Sequence, residues 1–534
     1  MKRWNPLMIL AVAVMAACGS SRDGTDERDA VEDGADIAPE VPADVPAEVL
    51  TDAAGEASPE VPADAIEEAS PEVPSDVAPD TAPPPLWDGL APTGLPLQRI
   101  VGVASQMSTN AAPNAHRDFE YAQYAPYPGF RMRNGHRWED VERVQGAWTW
   151  DGVRGSVDGA IPGGSKVLMG LDYAPEWARD GEGYGSVHID DFAEYAGAMA
   201  GHFCTTVKEY EIWNEPNIGS RFWQPQADPA KYADLVIASY AAIKAACPDA
   251  QVAFGALSSY DDVDLMDTWG FLRRALQARP AVCDSFDALS LHPYTWFQYD
   301  SPEHDEWVSY GVSKPSQTAM VRIARDMLAA GGCAPKPIWF TEVGWPSYEL
   351  SEDLVARYAA RSLLLTARDG VDAWCWYTFW DNEPTSEGIR PHENYFGFFG
   401  WTGPDGTARR AKPAWIAVTA ALDVLGMHRF ARDLGPALGL PNDVHVLAFV
   451  DGTGGIAVAA WDGRDQPDVT EDGEEAGGAN TTCALDLPMP ACATGAMLKG
   501  LDGQALPPPS FGPTVHLDLT PSVQYLQIAC PASM

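Results

Sequence analysis

From residue 87 to about residue 420, short apolar runs alternate with longer Ala-rich segments whose apolar residues recur at helical spacing. Eight of the runs read as strands: Arg99 to Ala104, Gly129 to Asn134, Ser165 to Asp172, Glu209 to Asn214, Gln251 to Leu257, Phe286 to His292, Pro337 to Glu342 and Ala373 to Trp380. The segments between them predict helices over Phe192 to Phe203, Pro229 to Ala246, Gly270 to Gln277, Gln317 to Ala330 and Glu352 to Ala367. A strand covered on both faces loses the apolar–polar alternation of a half-exposed one, as these runs do. Eight such strands with intervening helices predict an α/β fold, a (β/α)8 TIM barrel over residues 87–420.

The rhythm changes at about Ala421. Val444 to Phe449, Ile456 to Trp461, Ala496 to Leu501, Thr514 to Leu519 and Val523 to Ile528 alternate apolar and polar residues, which predicts a small antiparallel β-domain, sandwich-like, over 421–534. Its strands are expected to pack on the side of the barrel, with the acidic, Gly-rich stretch Arg464 to Ala479 as a loop. Ahead of the barrel, residues 19–86 are Ala, Pro, Asp, Glu and Val with almost no aromatic or basic residue, too little apolar area to offset ordering entropy. The segment repeats PEVPAD at Pro39 to Asp44 and Pro59 to Asp64, and PEVPSD at Pro71 to Asp76. It is expected to be a disordered acidic tether, stiffened by proline and extended by like charge.

Composition narrows the function. A formal net charge of −41 at pH 7 repels nucleic acid and anionic lipid. Lys2 and Arg3, the apolar run Leu7 to Ala17 and the small residues before Cys18 have the layout of a secretory signal over residues 1–18, too short to span a bilayer. Met15-Ala16-Ala17-Cys18 resembles a bacterial lipobox, which implies a lipidated Cys18 and a chain exported to the bacterial outer membrane or cell surface. The other eight cysteines suit an oxidising compartment. Cys204 with Cys247, Cys283 with Cys333 and Cys483 with Cys492 are the pairs to expect first, and Cys375 lies in an apolar strand as a candidate buried thiol. No spacing resembles a zinc or haem site.

Two strings carry chemistry. Tyr210-Glu211-Ile212-Trp213-Asn214-Glu215-Pro216-Asn217 is apolar up to Trp213 and then polar, at the C-terminal end of the fourth strand, where the loops of a TIM barrel converge. Ile338-Trp339-Phe340-Thr341-Glu342 delivers a second carboxylate at the end of the seventh, roughly opposite. Two carboxyls facing each other across a cleft suit glycosidic hydrolysis, one protonating the departing oxygen while the other attacks the anomeric carbon. By alternation Glu211 falls on the same side as Glu215, as a buried supporting carboxylate.

IWNEPN and WFTEVGW resemble the paired motifs of the clan A glycoside hydrolases, over roughly Gln98 to Trp415. With DYAPEWA at Asp172 to Ala178 and the short β-domain, the chain looks most like family 39 and its relatives, with family 5 the close competitor. The resemblance implies that Glu215 is the acid/base, that Glu342 is the nucleophile of a retaining double displacement, and that Asn214 binds the sugar 2-hydroxyl. It places His292 and Tyr294 of LHPY beside the nucleophile and aligns Arg133 with an arginine that reaches it, although Gly135 stands where the clan carries a small acidic or polar residue. Trp380 aligns with the aromatic floor of the site. Arg133 as an ion-pair partner of Glu139 or Asp140, His292 as a structural histidine and Trp380 as core filler remain open at this stage.

The expected partner is an extracellular oligo- or polysaccharide, with the chain acting as a monomer without cofactor or metal, and meeting a membrane only through Cys18. A family 5 type endo-glucanase or mannanase is an alternative, and a non-catalytic carbohydrate-binding surface lipoprotein is another. A groove lined by Trp177, Trp223, Trp296 and Trp345 would favour action within a polymer.

Overall fold

The computed structural model describes residues 86–531 apart from 106–113, 260–267, 296–300, 304–306, 310–311, 349, 383–390, 401–409, 465–467, 470–474 and 477–481. Cys18, nearly all of the tether and Trp296 lie outside the described residues. Eight parallel strands close into a barrel in chain order: β1 (Val101–Ser105), β2 (Arg131–Arg137), β3 (Lys166–Asp172), β4 (Glu209–Ile212), β5 (Gln251–Ser258), β6 (Ala288–His292), β7 (Ile338–Val343) and β8 (Ala373–Tyr377). Each is followed by a helix: α1 (Asn114–Tyr124), α2 (Asp151–Ala160), α3 (Ile189–Phe203), α4 (Pro229–Ala246), α5 (Thr268–Ala278), α6 (Gln317–Ala330), α7 (Glu352–Arg368) and α8 (Pro413–Leu425). All eight strands expected from the apolar runs are present. The helices α1 and α2, rich in polar residues and glycine respectively, were not legible as periodic segments.

Local chemistry sets the ends of several helices. Asp228 caps α4 by accepting from the Lys231 N–H, with Pro229 in the first turn, where a missing N–H costs nothing. Ser316 and Ser351 cap α6 and α7 in the same way. Helix α8 runs to Leu425, a little past the point where the helical pattern was expected to stop.

Side chains fill the barrel interior. Leu168, Ala253, Ala288, Trp339 and Ala373 form one buried cluster, drawn from β3, β5, β6, β7 and β8. From β2 and β4 the neighbouring group is an ion pair: Arg131 forks onto Glu209 at 2.7 and 3.1 Å and lies over the Trp339 ring. Strand period 2 repeats the pairing one step toward the mouth, where Arg133 meets Glu211 at 2.7 Å.

The C-terminal region has two layers. A five-stranded antiparallel sheet runs in the order β9 (Arg429–Asp433), β10 (Val444–Val450), β11 (Ile456–Asp462), β15 (Gln524–Ala529), β13 (Gly495–Lys499), and β12 (Cys483–Pro488) pairs with β14 (Thr514–Leu519) in a ribbon. Val444, Val446, Ala448, Val458 and Ala460 face the ribbon's Leu485, Leu487, Val515, Leu517 and Leu519. The alternate residues Leu447, Phe449, Ala457, Ala459 and Trp461 belong to the barrel's own core. Arg361 of α7, fully buried, donates to the Pro521 carbonyl and ties the two parts further. Residues before the barrel also attach here: Trp87 Nε1 donates to the Pro488 carbonyl, and Arg432 to those of Leu86 and Asp88.

Disulfides join Cys204 to Cys247 and Cys283 to Cys333 as expected, and Cys375 is a buried free thiol. The third expectation is corrected: Cys492 bonds to Cys530, not to Cys483. Cys492 and Cys483 are close in sequence but belong to different layers, whereas antiparallel pairing of Gly495 with Ala529 brings Cys492 and Cys530 side by side. No helix among the described residues is long and apolar enough to cross a membrane.

Candidate active site

The C-terminal end of β4 is held in an uncommon backbone path. Trp213 and Glu215 both have positive φ, 69° and 47°, and so does Ala256 on β5 at 52°. Such residues cost on the order of 1–3 kcal/mol each and persist only where surroundings over-determine them. Here the surroundings are a bulge in β5, whose register shifts between Phe254 and Leu257. Gly255, at φ 118°, leaves no room for a Cβ, which would stand 2.7 Å from the Ser290 carbonyl. The Tyr232 hydroxyl accepts from the Gly255 N–H at 2.8 Å, and Ser290 Oγ accepts from Ala256 at 2.6 Å. The bulge then presents the Ala256 carbonyl to the Glu215 N–H at 3.1 Å. Asn217 completes the clamp by exchanging two hydrogen bonds with the backbone of Ser258.

Glu215, His292, Tyr294, Glu342, Arg133 and Asn214 come together at this end of the barrel. One oxygen of Glu215, one of Glu342 and a ring nitrogen of His292 all lie within 4.8 Å of one another. His292 Nδ1 is 2.8 Å from Glu215 Oε1 and 3.6 Å from Glu342 Oε2. Tyr294 donates its hydroxyl to Glu342 Oε2 at 2.8 Å. Arg133 donates to the other oxygen, Oε1, with Nη1, while Nε and Nη2 engage Glu211 and Nη2 also reaches Asn214 Oδ1 at 2.8 Å. Arg133 therefore pairs with Glu211 and Glu342 rather than with Glu139 or Asp140.

Burial alone would push the Glu342 carboxyl up. His292, Arg133 and Tyr294 outweigh it and hold the group below its ordinary value, as an anion. The reciprocal holds for His292, where burial opposes protonation but Glu342 and Glu215 raise the pKa. Glu215, His292 and Glu342 are the donor set that could face a cation. The guanidinium on Glu342 places a fixed positive charge there instead, and both Glu342 oxygens already accept hydrogen bonds.

Trp380 packs among the rings of His116, Phe119, Phe379 and Phe399. Tyr377 of β8 has its ring 6.4 Å from that of Tyr294, the hydroxyl donor to Glu342. The strand ends at Tyr377, three residues before Trp380. Trp223 and Trp345 are fully buried and line no groove, while Trp177 is half-buried. Tyr377 was not singled out from sequence, nor was Asp172, the last residue of β3. Alternation from Leu168, which faces the barrel interior, would have found Asp172.

No protein-family model matches the chain, and no curated protein matches it. Among solved structures it is similar to a family 39 glycoside hydrolase from the gut symbiont Bacteroides cellulosilyticus WH2, with a TM-score of 0.62 and 21% identity over 82% of each chain. It is also similar to a monomeric β-xylosidase from Caulobacter crescentus CB15, with a TM-score of 0.58 and 18% identity over 83% of this chain and 98% of that one. A family 39 enzyme from Xanthomonas axonopodis pv. citri follows at a TM-score of 0.54 and 17% identity, over 82% and 96%. At these identities the likeness is one of fold: the chain has the barrel architecture found in those glycoside hydrolases.

Proposed function

We propose that the chain is a retaining glycoside hydrolase acting on an extracellular oligo- or polysaccharide, with Glu342 as nucleophile and Glu215 as acid/base. The carrying observation is the approach of Glu215 and Glu342 to within 4.8 Å, oxygen to oxygen. Retaining enzymes hold their carboxyls about 5 Å apart, whereas inverting ones need roughly 6.5–9.5 Å to admit a water between carboxyl and sugar. The fold shared with a β-xylosidase and family 39 glycoside hydrolases supports the same reading.

In the first step the Glu342 carboxylate attacks the anomeric carbon as Glu215 gives its proton to the departing glycosidic oxygen, leaving a glycosyl ester on Glu342. In the second, Glu215 takes a proton from water as that water displaces Glu342, and both residues return to their starting states. Tyr294 and Arg133 keep Glu342 ionised and oriented. Asn214, held by Arg133, is placed to meet the sugar beside the nucleophile. His292 bridges the carboxylates and steadies the charge that passes between them.

The test is a panel of 4-nitrophenyl glycosides and purified polysaccharides, with the released anomer followed by NMR. Parent protein is expected to retain configuration, and Glu215→Gln and Glu342→Gln to lose most of the rate. An inverted first product would overturn the nucleophile assignment. For localisation we propose export and lipid attachment at Cys18, supported by the lipobox-like string; Cys18→Ala should then leave the membrane fraction.

A further inference from the structure

Outside the hydrogen-bonded cluster, one more carboxyl faces the same end of the barrel. Asp172 is the last residue of β3. Leu168 belongs to the interior cluster, so strand period 2 turns Gly170 and Asp172 to the interior as well, with Asp172 nearest the mouth. The residue is only 6% exposed. Arg133 and Arg137 favour its anion while Glu211 and Glu342 oppose it, and its side chain makes no hydrogen bond among the described residues. Its oxygens are nevertheless not among the sealed, unpartnered polar atoms of the interior, as Glu211 Oε1 is, so they keep contact with solvent in the mouth.

The space beside it is kept clear. Gly135 and Gly170 are register neighbours on β2 and β3, so neither strand offers a side chain there. A Cβ on Gly135 would stand 3.6 Å from Asp172 Oδ2. A buried polar group without a partner costs free energy comparable to a lost hydrogen bond, and the cost is recovered when a ligand supplies the partner. Such a group, open on one side and sharing its electrostatic neighbourhood with Glu342, matches a sugar hydroxyl.

We propose that Asp172 is a substrate-contacting residue whose carboxyl group hydrogen-bonds a hydroxyl of the sugar unit lying between Glu215 and Glu342. The assignment rests on the glycosidase reading. Burial, opposed by Arg133 and Arg137, holds the Asp172 pKa up at about 7, so near neutral pH the group can serve as donor or acceptor. A site built to hydrogen-bond a hydroxyl discriminates strongly against a sugar lacking it, because the protein group is then left buried and unpaired. Asp172 is thereby a determinant of which sugar is accepted.

The experiment is a cycle between protein and substrate. Parent, Asp172→Asn and Asp172→Ala are assayed on the 4-nitrophenyl glycoside that the parent hydrolyses fastest, and on its monodeoxy analogues. Thermal unfolding confirms that each variant is folded. Asp172→Ala is expected to lower kcat/KM by about 10- to 100-fold on the full glycoside. On one deoxy analogue, the one lacking the contacted hydroxyl, the same substitution should cost less than about twofold. If Asp172→Ala does not fold, the nearly isosteric Asp172→Asn carries the same cycle. An equal loss on every analogue marks a merely structural role and overturns the assignment, as does no loss on the full glycoside. Failure of the parent to cleave any member of the panel overturns the glycosidase reading and the assignment together. That outcome is told apart from the others because it involves no variant.

Discussion

The Tyr294 hydroxyl donates to Oε2 of Glu342 at 2.8 Å, from the segment that follows β6, the strand next to the one that carries the carboxylate. With Arg133 on Oε1, the anion is held from both sides. Removing the phenolic donor with Tyr294→Phe leaves the ring's packing and takes away one of these supports. The Glu342 pKa then rises, so the acid limb of kcat/KM should move to higher pH, and kcat should fall by about 10- to 100-fold. A pH–rate profile of both proteins on one aryl glycoside checks this. An unmoved acid limb would show that Tyr294 does not govern the ionisation of Glu342.

Arg133 supports more than one anion, and its loss should be felt in stability as well as rate. Arg133→Met leaves Glu211, fully buried, without its cation. Breaking one side of a buried ion pair costs about 3–5 kcal/mol. Urea unfolding should show a drop of that order, and Glu211→Gln in the same background should restore part of it. Restoration of stability without restoration of activity would separate the Glu211 contact from the Glu342 contact.

The barrel strands and the two carboxylates were legible because apolar runs ending in an abrupt polar residue can arise in few other ways. Where β8 ends was not legible, because the aromatic run Trp374 to Trp380 carries no sign of where the strand stops, and it stops at Tyr377. Asp172 opens the DYAPEWA string, but nothing within that string marks it as a site residue. Its place is set by the inward alternation of β3 and by glycines on two strands, a relation across strands that a linear reading does not display. The β5 bulge that seats Glu215 was hidden likewise, since Gly255 and Ala256 look like ordinary small strand residues.

Glu120 is buried completely, with Tyr124 as a distant hydroxyl partner at 3.5 Å, and burial pushes its pKa up to about 7. Because the folded value lies above the unfolded one, the stability it contributes is present below about pH 4 and lost as pH rises to about 7. Glu120→Gln removes that titration. Relative to the parent, the variant should gain on the order of 3 kcal/mol on going from pH 4 to pH 8. Urea unfolding of both proteins at the two pH values measures the difference, and parallel pH dependences would count against a neutral Glu120 in the folded state.

The Cys492–Cys530 link closes a sequence separation of 38 residues. Its removal with a double Ser substitution should cost about 3–4 kcal/mol on the chain-entropy account. Non-reducing peptide mapping should recover Cys492 with Cys530, and a peptide joining Cys483 to Cys492 would contradict the layer arrangement.

Strands β10 and β11 have no outer face: one side completes the barrel's core and the other supports the ribbon. Among the described residues these two strands leave no seam along which the β-layers could be cut away from the barrel, exchanged or inherited separately. A change at Leu447 is a change to the barrel, whose core is finished only when Tyr525 of β15 has been made.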